Sequence, residues 1–281
     1  MIKTPAVAEL IELALNEDLC GGDPTSEALF DENSKARAVI KAKSDLIICG
    51  LPLISMVFQK VDPQVTIVLN KKDGDFCPAQ TSVVELNGRA LSILAAERTI
   101  LNFLQRMSGI ATRTRKTSSL TPLGILDTRK TTPGHRILEK YAVKIGGGRN
   151  HRLNLSGGIM IKDNHIDAFG SITNCVKRIK SKVPHTLKIE VEVRNFDEAR
   201  EAVDAGADII LLDNMTTEAM KRICNELKGL AIFEASGGIT ESRLAELTDC
   251  GLDFVSMGAL THSVTAADLS MTIAFETQDK L

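Results

Sequence analysis

The sequence predicts an α/β fold: a sheet or barrel of parallel strands with crossover helices, preceded by an α+β region. Three observations carry this. From about residue 108, short apolar runs alternate with longer helical stretches, as βα units require. Before that point, short strand-like runs bunch together with helices at both ends. Finally, Leu187, Ile189, Val191 and Val193 alternate with Lys188, Glu190 and Glu192. Parallel strands are ordinarily apolar on both faces, so the charged face of this one suits a polar lumen or its mouth.

In order, Thr4 before Pro5 makes an N-cap and first-turn pair, so a helix is expected over about 5–19, ended by Gly21-Gly22. Residues 35–49 and 65–69 read as strands, and 81–86 as a third between the turn dipeptides Asp73-Gly74 and Asn87-Gly88. Ser92 is placed to cap a helix over about 93–107. On it, Arg98 borders an apolar stripe beside Leu94 and Leu101, the position of a cation snorkelling to water. Strands then follow at about 124–128, 158–162, 187–193, 208–213, 230–235 and 253–257. Helices are expected at about 134–145, 166–182, 195–205, 216–227, 240–249 and 263–275.

Composition excludes several function classes. The 281 residues are 43% hydrophobic and 25% charged, normal for a globular chain with a sizeable core. A formal charge of -2 and a pI near 6.2 provide no general basic field for nucleic acid or an anionic membrane. The start, with Glu9 and Glu12 on an amphipathic helix, is unlike a secretory or transit segment. No apolar run approaches the ~18 residues of a membrane span; the longest candidate, residues 47–58, is broken by Gly50 and Pro52. The six cysteines (Cys20, Cys49, Cys77, Cys175, Cys224, Cys250) form no Cys-x-x-Cys pair, so neither zinc spacing nor a disulfide framework is indicated. A cytoplasmic enzyme fits.

Against this neutral background, residues 127–165 hold eight Lys/Arg and three acids. Several of these cations stand at the ends of the apolar runs 124–126 and 159–161, which suggests a pocket built for an anion. Arg129, Lys130, Lys162, Glu192, Asp213, Ser236 and Ser256 fall at the carboxyl ends of successive strands, with His151 and Arg152 in the loop before Lys162. The turns Ser236-Gly237-Gly238 and Ser256-Met257-Gly258 let backbone N–H groups approach a phosphate, as at the top of a β/α barrel. Glu190 and Lys188 are expected to pair with each other, leaving Glu192 as the better ligand. Cations facing two carboxylates suit a polyanionic substrate bearing hydroxyls, with a divalent metal. There is no nucleophile elbow, and the Gly146-Gly147-Gly148 run is not a P-loop.

Together, 96–102 (Ala-Glu-Arg-Thr-Ile-Leu-Asn), 108–112, 127–134, Gly147-Gly148-Arg149-Asn150-His151-Arg152, Ile161-Lys162-Asp163-Asn164-His165 and Leu211-Leu212-Asp213-Asn214 resemble the quinolinate phosphoribosyltransferases (nicotinate-nucleotide pyrophosphorylase, carboxylating). The likeness runs nearly end to end, and the order and number of motifs carry it. It implies an incomplete α/β barrel over residues 108–265, and an α+β N-terminal domain over 1–107 rejoined by a C-terminal helix at about 266–281. It further implies a homodimer with shared active sites, or a higher assembly built from it, acting on quinolinate and 5-phosphoribosyl-1-pyrophosphate with Mg2+. Carried over by position, Arg98 of the neighbouring subunit, Thr128, Arg129, Lys130, His151, Arg152 and Lys162 would hold the quinolinate carboxylates and the pyrophosphate. Glu192 and Asp213 would hold ribose hydroxyls and the metal, partly through substrate and water. Ser236, Gly237, Gly238, Ser256 and Gly258 would hold the 5-phosphate. Lys130, Lys162, Glu192 and Asp213 are the residues expected to carry the chemistry. Asn154 and Ser156-Gly157-Gly158 depart from the family pattern beside Arg152, as does Cys77-Pro78-Ala79 in the N-terminal region.

Other readings are a paralogue acting on nicotinate or associated with molybdenum transport, a Schiff-base lyase using Lys130 or Lys162, and a non-catalytic phosphosugar-binding protein. Nicotinate has one carboxylate and would leave part of the positive charge unpaired. Simple anion binding would not call for Glu192 and Asp213.

Overall fold

The computed structural model describes residues 2–276. In chain order they form α1 (Pro5–Leu19), α2 (Pro24–Leu29), β1 (Lys35–Ala42), β2 (Leu46–Ile47), α3 (Leu51–Val61), β3 (Thr66–Leu69), β4 (Phe76–Cys77), β5 (Ser82–Arg89) and α4 (Ala90–Ser118). Then come β6 (Gly124–Leu126), α5 (Arg136–Ile145), β7 (Ile159–Ile161), α6 (Asp163–Phe169), α7 (Ile172–Lys180), β8 (Ile189–Val193), α8 (Phe196–Ala205) and β9 (Ile209–Asp213). The chain continues through α9 (Thr217–Glu226), β10 (Ile232–Ser236), a 3-10 turn (Glu241–Arg243), α10 (Leu244–Leu247), β11 (Phe254–Ser256), α11 (Ala259–His262) and β12 (Leu269–Phe275). Two compact units result. The first comprises the chain through Arg115, Thr132–Gly147 and the chain from Ser263; the second comprises Lys116–Thr131 and Gly148–His262. The boundary expected at 107/108 falls inside α4.

In the first unit, α1 forms where Thr4 and Pro5 predict it: the Thr4 hydroxyl accepts the Val7 N–H at 3.4 Å, and Val7, Ile11 and Leu15 turn one face inward. The sheet is antiparallel in the order β12-β1-β5-β3. Ala36, Ala38, Ile40 and Ala42 of β1 alternate into the core with no exposed surface. Three expectations are corrected here. Residues 269–275 are a strand paired with β1 rather than a helix; Leu269, Met271, Ile273 and Phe275 recur with a period of two, which suits a pleat. Residues 277–281, the rest of that expected helix, lie outside the described residues. Asn87-Gly88 lies within β5 and is not a turn; a Cβ at 88 would stand 2.8 Å from Val65 Cγ2, so glycine permits the close approach. Ser92 lies inside α4 and donates to Asp62 at 2.7 Å instead of capping the helix. Helix α3, which the sequence reading left unassigned, starts at Leu51-Pro52 after the left-handed Gly50, and the Asp73 carboxylate accepts the Gly50 and Leu51 amides at 3.0 Å.

The second unit is the α/β part. Its sheet runs β6-β11-β10-β9-β8-β7 with all neighbours parallel, and helices α6 to α10 return the chain between successive strands from β7 to β11. β6 and β7 are the two edges, so the barrel is incomplete. The outer edge of β6 is met by a single parallel bridge from Leu126 to Arg149, with Arg149 N–H donating to Ile125 O at 2.8 Å. Its core is the strand interior, where Val191, Val193, Ile210, Leu212, Ala235 and Val255 have no exposed surface. Among the described residues, no helix is long and apolar enough to cross a membrane.

Candidate active site

A cavity of about 670 Å³ opens at the carboxyl ends of the second unit's strands. Its lining includes Thr128, Arg129 and Lys130 after β6, His151 and Arg152 from the bridging loop, Lys162 after β7, Glu192 on β8 and Asp213 on β9. Ser236, Gly237 and Gly238 after β10, with Ser256 and Gly258 after β11, complete the rim. The structure thus brings together every site residue expected from the sequence except Arg98. That side chain is exposed and lines a separate recess of about 400 Å³ in the first unit, with Asn102, Arg106, Glu17 and Asp18. The basic run also divides: Arg136, Lys140 and Lys144 lie on α5 in the first unit and not at this cavity.

Local chemistry fixes the segments that carry these cations. Asp127, the residue after β6, has no exposed surface. Its carboxylate accepts the His151 N–H at 2.9 Å and the Asn150 side chain at 2.6 Å, which ties the loop to the strand end. The Thr128 hydroxyl accepts the Lys130 N–H at 3.0 Å, and the buried Thr261 hydroxyl donates to the Lys130 carbonyl at 2.7 Å. Arg152 donates to Gly158 O at 3.0 Å and leans on Met160 sulfur at 3.6 Å. The departures at 154–158 build that Gly158 anchor. Asn154 Oδ1 accepts the Ser156 amide at 3.1 Å and its hydroxyl at 2.8 Å, closing a tight turn. Burial pulls the Arg152 pKa down, Arg129 adds like-charge repulsion, and Glu190 partly offsets both.

The cavity lining also carries acids. Lys162 and Glu192 form an ion pair between residues at the ends of β7 and β8. Asp213 accepts the Asn214 side-chain amide at 2.7 Å. Glu192 and Asp213 offer carboxylate oxygens to the cavity, the hard donors that a Mg2+ ion takes, so this donor set fits the ion. Gly237 and Gly238 both have positive φ, at 87° and 59°. A Cβ at 237 would lie 2.2 Å from Asn214 Oδ1, so only glycine allows this turn to close over the end of β9.

Two acids have roles that the sequence reading did not give them. Glu190 does not pair with the exposed Lys188; it is 4% exposed and lies 3.2 Å from His151 Nε2. Its place on the charged face of β8, two residues before Glu192, was the available signal. Glu234 is 3% exposed in the middle of β10, 3.7 Å from the same nitrogen. Burial, then the charge of Glu190, pushes its pKa up to about 7. Asp127 was read only as part of the 127–134 motif and not as the anchor of this loop, although it directly follows the apolar run of β6.

Comparisons with known proteins agree with this arrangement. The family model for the quinolinate phosphoribosyl transferase C-terminal domain matches residues 110–272, and that for the N-terminal domain matches residues 23–108. A relative from Bacillus subtilis named probable nicotinate-nucleotide pyrophosphorylase [carboxylating] is 43% identical, covering 93% of this chain and 91% of that protein. The chloroplastic nicotinate-nucleotide pyrophosphorylase [carboxylating] of Arabidopsis thaliana is 39% identical, with 95% and 82% covered. The crystal structure of NadC from Streptococcus pyogenes superposes with a TM-score of 0.94 at 38% identity, over 98% of this chain and 99% of that one. Both domains, the end-to-end coverage and the shared architecture place this chain in the quinolinate phosphoribosyltransferase family.

Proposed function

We propose that this chain transfers the phosphoribosyl group of 5-phosphoribosyl-1-pyrophosphate to quinolinate and decarboxylates the adduct, giving nicotinate mononucleotide, pyrophosphate and CO2 for NAD biosynthesis. One observation carries the reading: Arg129, Lys130, Arg152 and Lys162 line a single cavity with Glu192 and Asp213. A dicarboxylate acceptor and a pyrophosphate leaving group need several cations at once. A ribose ring that gains positive charge at C1 needs carboxylates nearby.

In this reading Arg129, Arg152 and Lys162 hold the two quinolinate carboxylates, and Lys130 neutralises the departing pyrophosphate. Glu192 and Asp213 hold the ribose hydroxyls and, through substrate and water, Mg2+, which supplies neutralisation of the donor's phosphate charge when bound. Ser236, Gly237, Gly238, Ser256 and Gly258 receive the 5-phosphate. When the C1–oxygen bond breaks, its electron pair leaves with pyrophosphate and the ring nitrogen of quinolinate closes on C1. Fixed charges suit both ends of that step because they need no reorganisation. A charge pair at about 4 Å is worth about 1 kcal/mol in water and about 4 at an effective dielectric of 20, so a closed site strengthens every one. As CO2 departs, the electrons of the C2–carboxylate bond stay on C2, stabilised by the positive charge of the adjacent pyridinium nitrogen, and C2 then takes a proton. No side chain has to form a covalent intermediate.

Because Arg98 lines the first unit's recess rather than this cavity, the family likeness supports a homodimer in which one subunit's Arg98 completes its partner's site. A cytoplasmic location accords with the same reading. The test incubates purified protein with quinolinate, the pyrophosphorylated ribose donor and Mg2+, with nicotinate as rival acceptor. Nicotinate mononucleotide should form with CO2 release from quinolinate. Preferential use of nicotinate, or a borohydride-trapped adduct on a lysine, would replace this reading.

A further inference from the structure

His151, Glu190 and Glu234 come from a loop and two strands of the same unit, and their nitrogen and oxygen atoms lie within 4.8 Å of one another. Both carboxylates are almost wholly buried, at 4% and 3% exposure. Two facing buried acids are costly, so something must use them. Their shared neighbour is His151 Nε2, at 3.2 Å from Glu190 and 3.7 Å from Glu234. Glu234 Oε1 finds no hydrogen bond of its own.

The other ring nitrogen decides what they do. Nδ1 of His151 accepts the backbone N–H of Arg152 at 2.7 Å. A nitrogen that accepts carries no proton, so the neutral ring holds its proton on Nε2, the atom facing the acids. A metal ion at Nε2 would need the lone pair there. The proton would then move to Nδ1 and oppose the Arg152 N–H. The cluster is therefore built to accept an imidazole N–H and not to ligate an ion, although its residue types suit either.

We propose that Glu190 and Glu234 are positioning residues for the acceptor subsite: they lock the His151 ring with Nε2 protonated, and that ring in turn holds the Arg152 peptide so that its guanidinium lines the cavity. The proposal rests on the reading of the cavity as a quinolinate site. Asp127 holds the same loop from the other side through the His151 N–H, so Arg152 sits between two buried acidic anchors. Glu190 dominates because it is nearer to Nε2, and Glu234 supports it from the neighbouring edge of the cluster.

The test reads the ring first. Full-length protein with 15N-labelled histidine is examined without substrate, and the His151 signals are assigned by their loss in His151→Gln. The expected state is the neutral, Nε2-protonated tautomer. Glu190→Ala should populate the other tautomer, and Glu190→Gln, which keeps an acceptor oxygen, should restore it. In kinetics, Glu190→Ala should raise the quinolinate KM by ~10-fold or more, the loss of about one buried hydrogen bond, while kcat and the donor KM change little. Glu190→Gln should recover the quinolinate KM. Should Glu190→Ala fail to fold, Glu234→Ala serves, with a smaller shift in the same direction. A Nδ1-protonated or cationic ring in the unsubstituted protein overturns the proposal. So does a Glu190→Ala chain that loses kcat and both KM values alike, or one bound Mn2+ per chain that disappears in Glu190→Gln. Since the ring measurement needs no substrate, absent transferase activity contradicts the functional reading alone.

Discussion

The Asp127 carboxylate accepts the backbone N–H of His151 at 2.9 Å from a position with no exposed surface. The carboxylate also takes the Asn150 side chain at 2.6 Å, so one buried charge fixes the loop that carries Arg152. Asp127→Ala removes the acceptor of two hydrogen bonds, from the half-buried His151 N–H and the exposed Asn150 side chain, a loss of about 0.5–1.5 kcal/mol for each bond. Thermal unfolding should shift downward and kcat/KM should fall by ~10²-fold, since a misplaced cation costs about that much. An Asp127→Ala protein with ordinary activity would show that the loop is held by other means.

Lys130 and Lys162 are expected to act by charge at a fixed place. Lys130→Ala or Lys162→Ala should lower turnover by ~10²-fold or more while circular dichroism stays unchanged. Lys162→Ala also removes the ion-pair partner of Glu192. Full activity in either variant would mean that the cavity's cations do not take part in the chemistry.

Arg98 offers a test by complementation. It lines the recess of the first unit, whereas Lys130 lines the cavity of the second. Inactive Arg98→Ala and Lys130→Ala chains, mixed and allowed to exchange subunits, should recover part of the activity through hybrid dimers that each hold one intact site. No recovery after demonstrated exchange would argue that each chain builds its site alone.

Two buried carboxylates give pH dependence of opposite sign. The hydrogen bond from Arg89, at 2.8 Å, together with the Ser92 hydroxyl holds the Asp62 carboxyl down at about 2. Its folded value lies below its ordinary 3.8, so this stability is present above that value and is lost as pH falls toward 2. Glu234, pushed up to about 7, keeps its proton longer when folded; stability falls as pH rises from its ordinary 4.5 through 7. Melting curves should therefore show Asp62→Asn flattening the acid limb. Glu234→Gln should gain on the unsubstituted protein as pH rises through the upper window. Parallel melting curves for variant and parent in either window would mean that the carboxylate is not held as described.

Most of the α/β unit was legible because its signals are local. Apolar runs alternating with helical stretches marked the strands from β6 to β11, and Thr4-Pro5 marked α1. The C-terminal strand β12 was misread because Ser270, Thr272 and Ala274 between its apolar residues tolerate a helix, and only pairing with β1 selects the pleat. Helix α3 was hidden because Gly50 and Pro52 looked like breaks, whereas a proline in the first turn starts a helix. The cations were found because strand ends collect ligand groups. Asp127, Glu190 and Glu234 were not, because their roles depend on a loop returning beside β6 and on two strands turning acids toward one histidine. No spacing in the sequence encodes that meeting.

The most direct measurement of the central claim is a crystal structure of the protein with quinolinate bound. The account predicts both carboxylates inside the 670 Å³ cavity, contacted by Arg129, Arg152 and Lys162, the last of them beside Glu192. Quinolinate seated elsewhere, or held in the cavity with those three cations turned away from it, would contradict it.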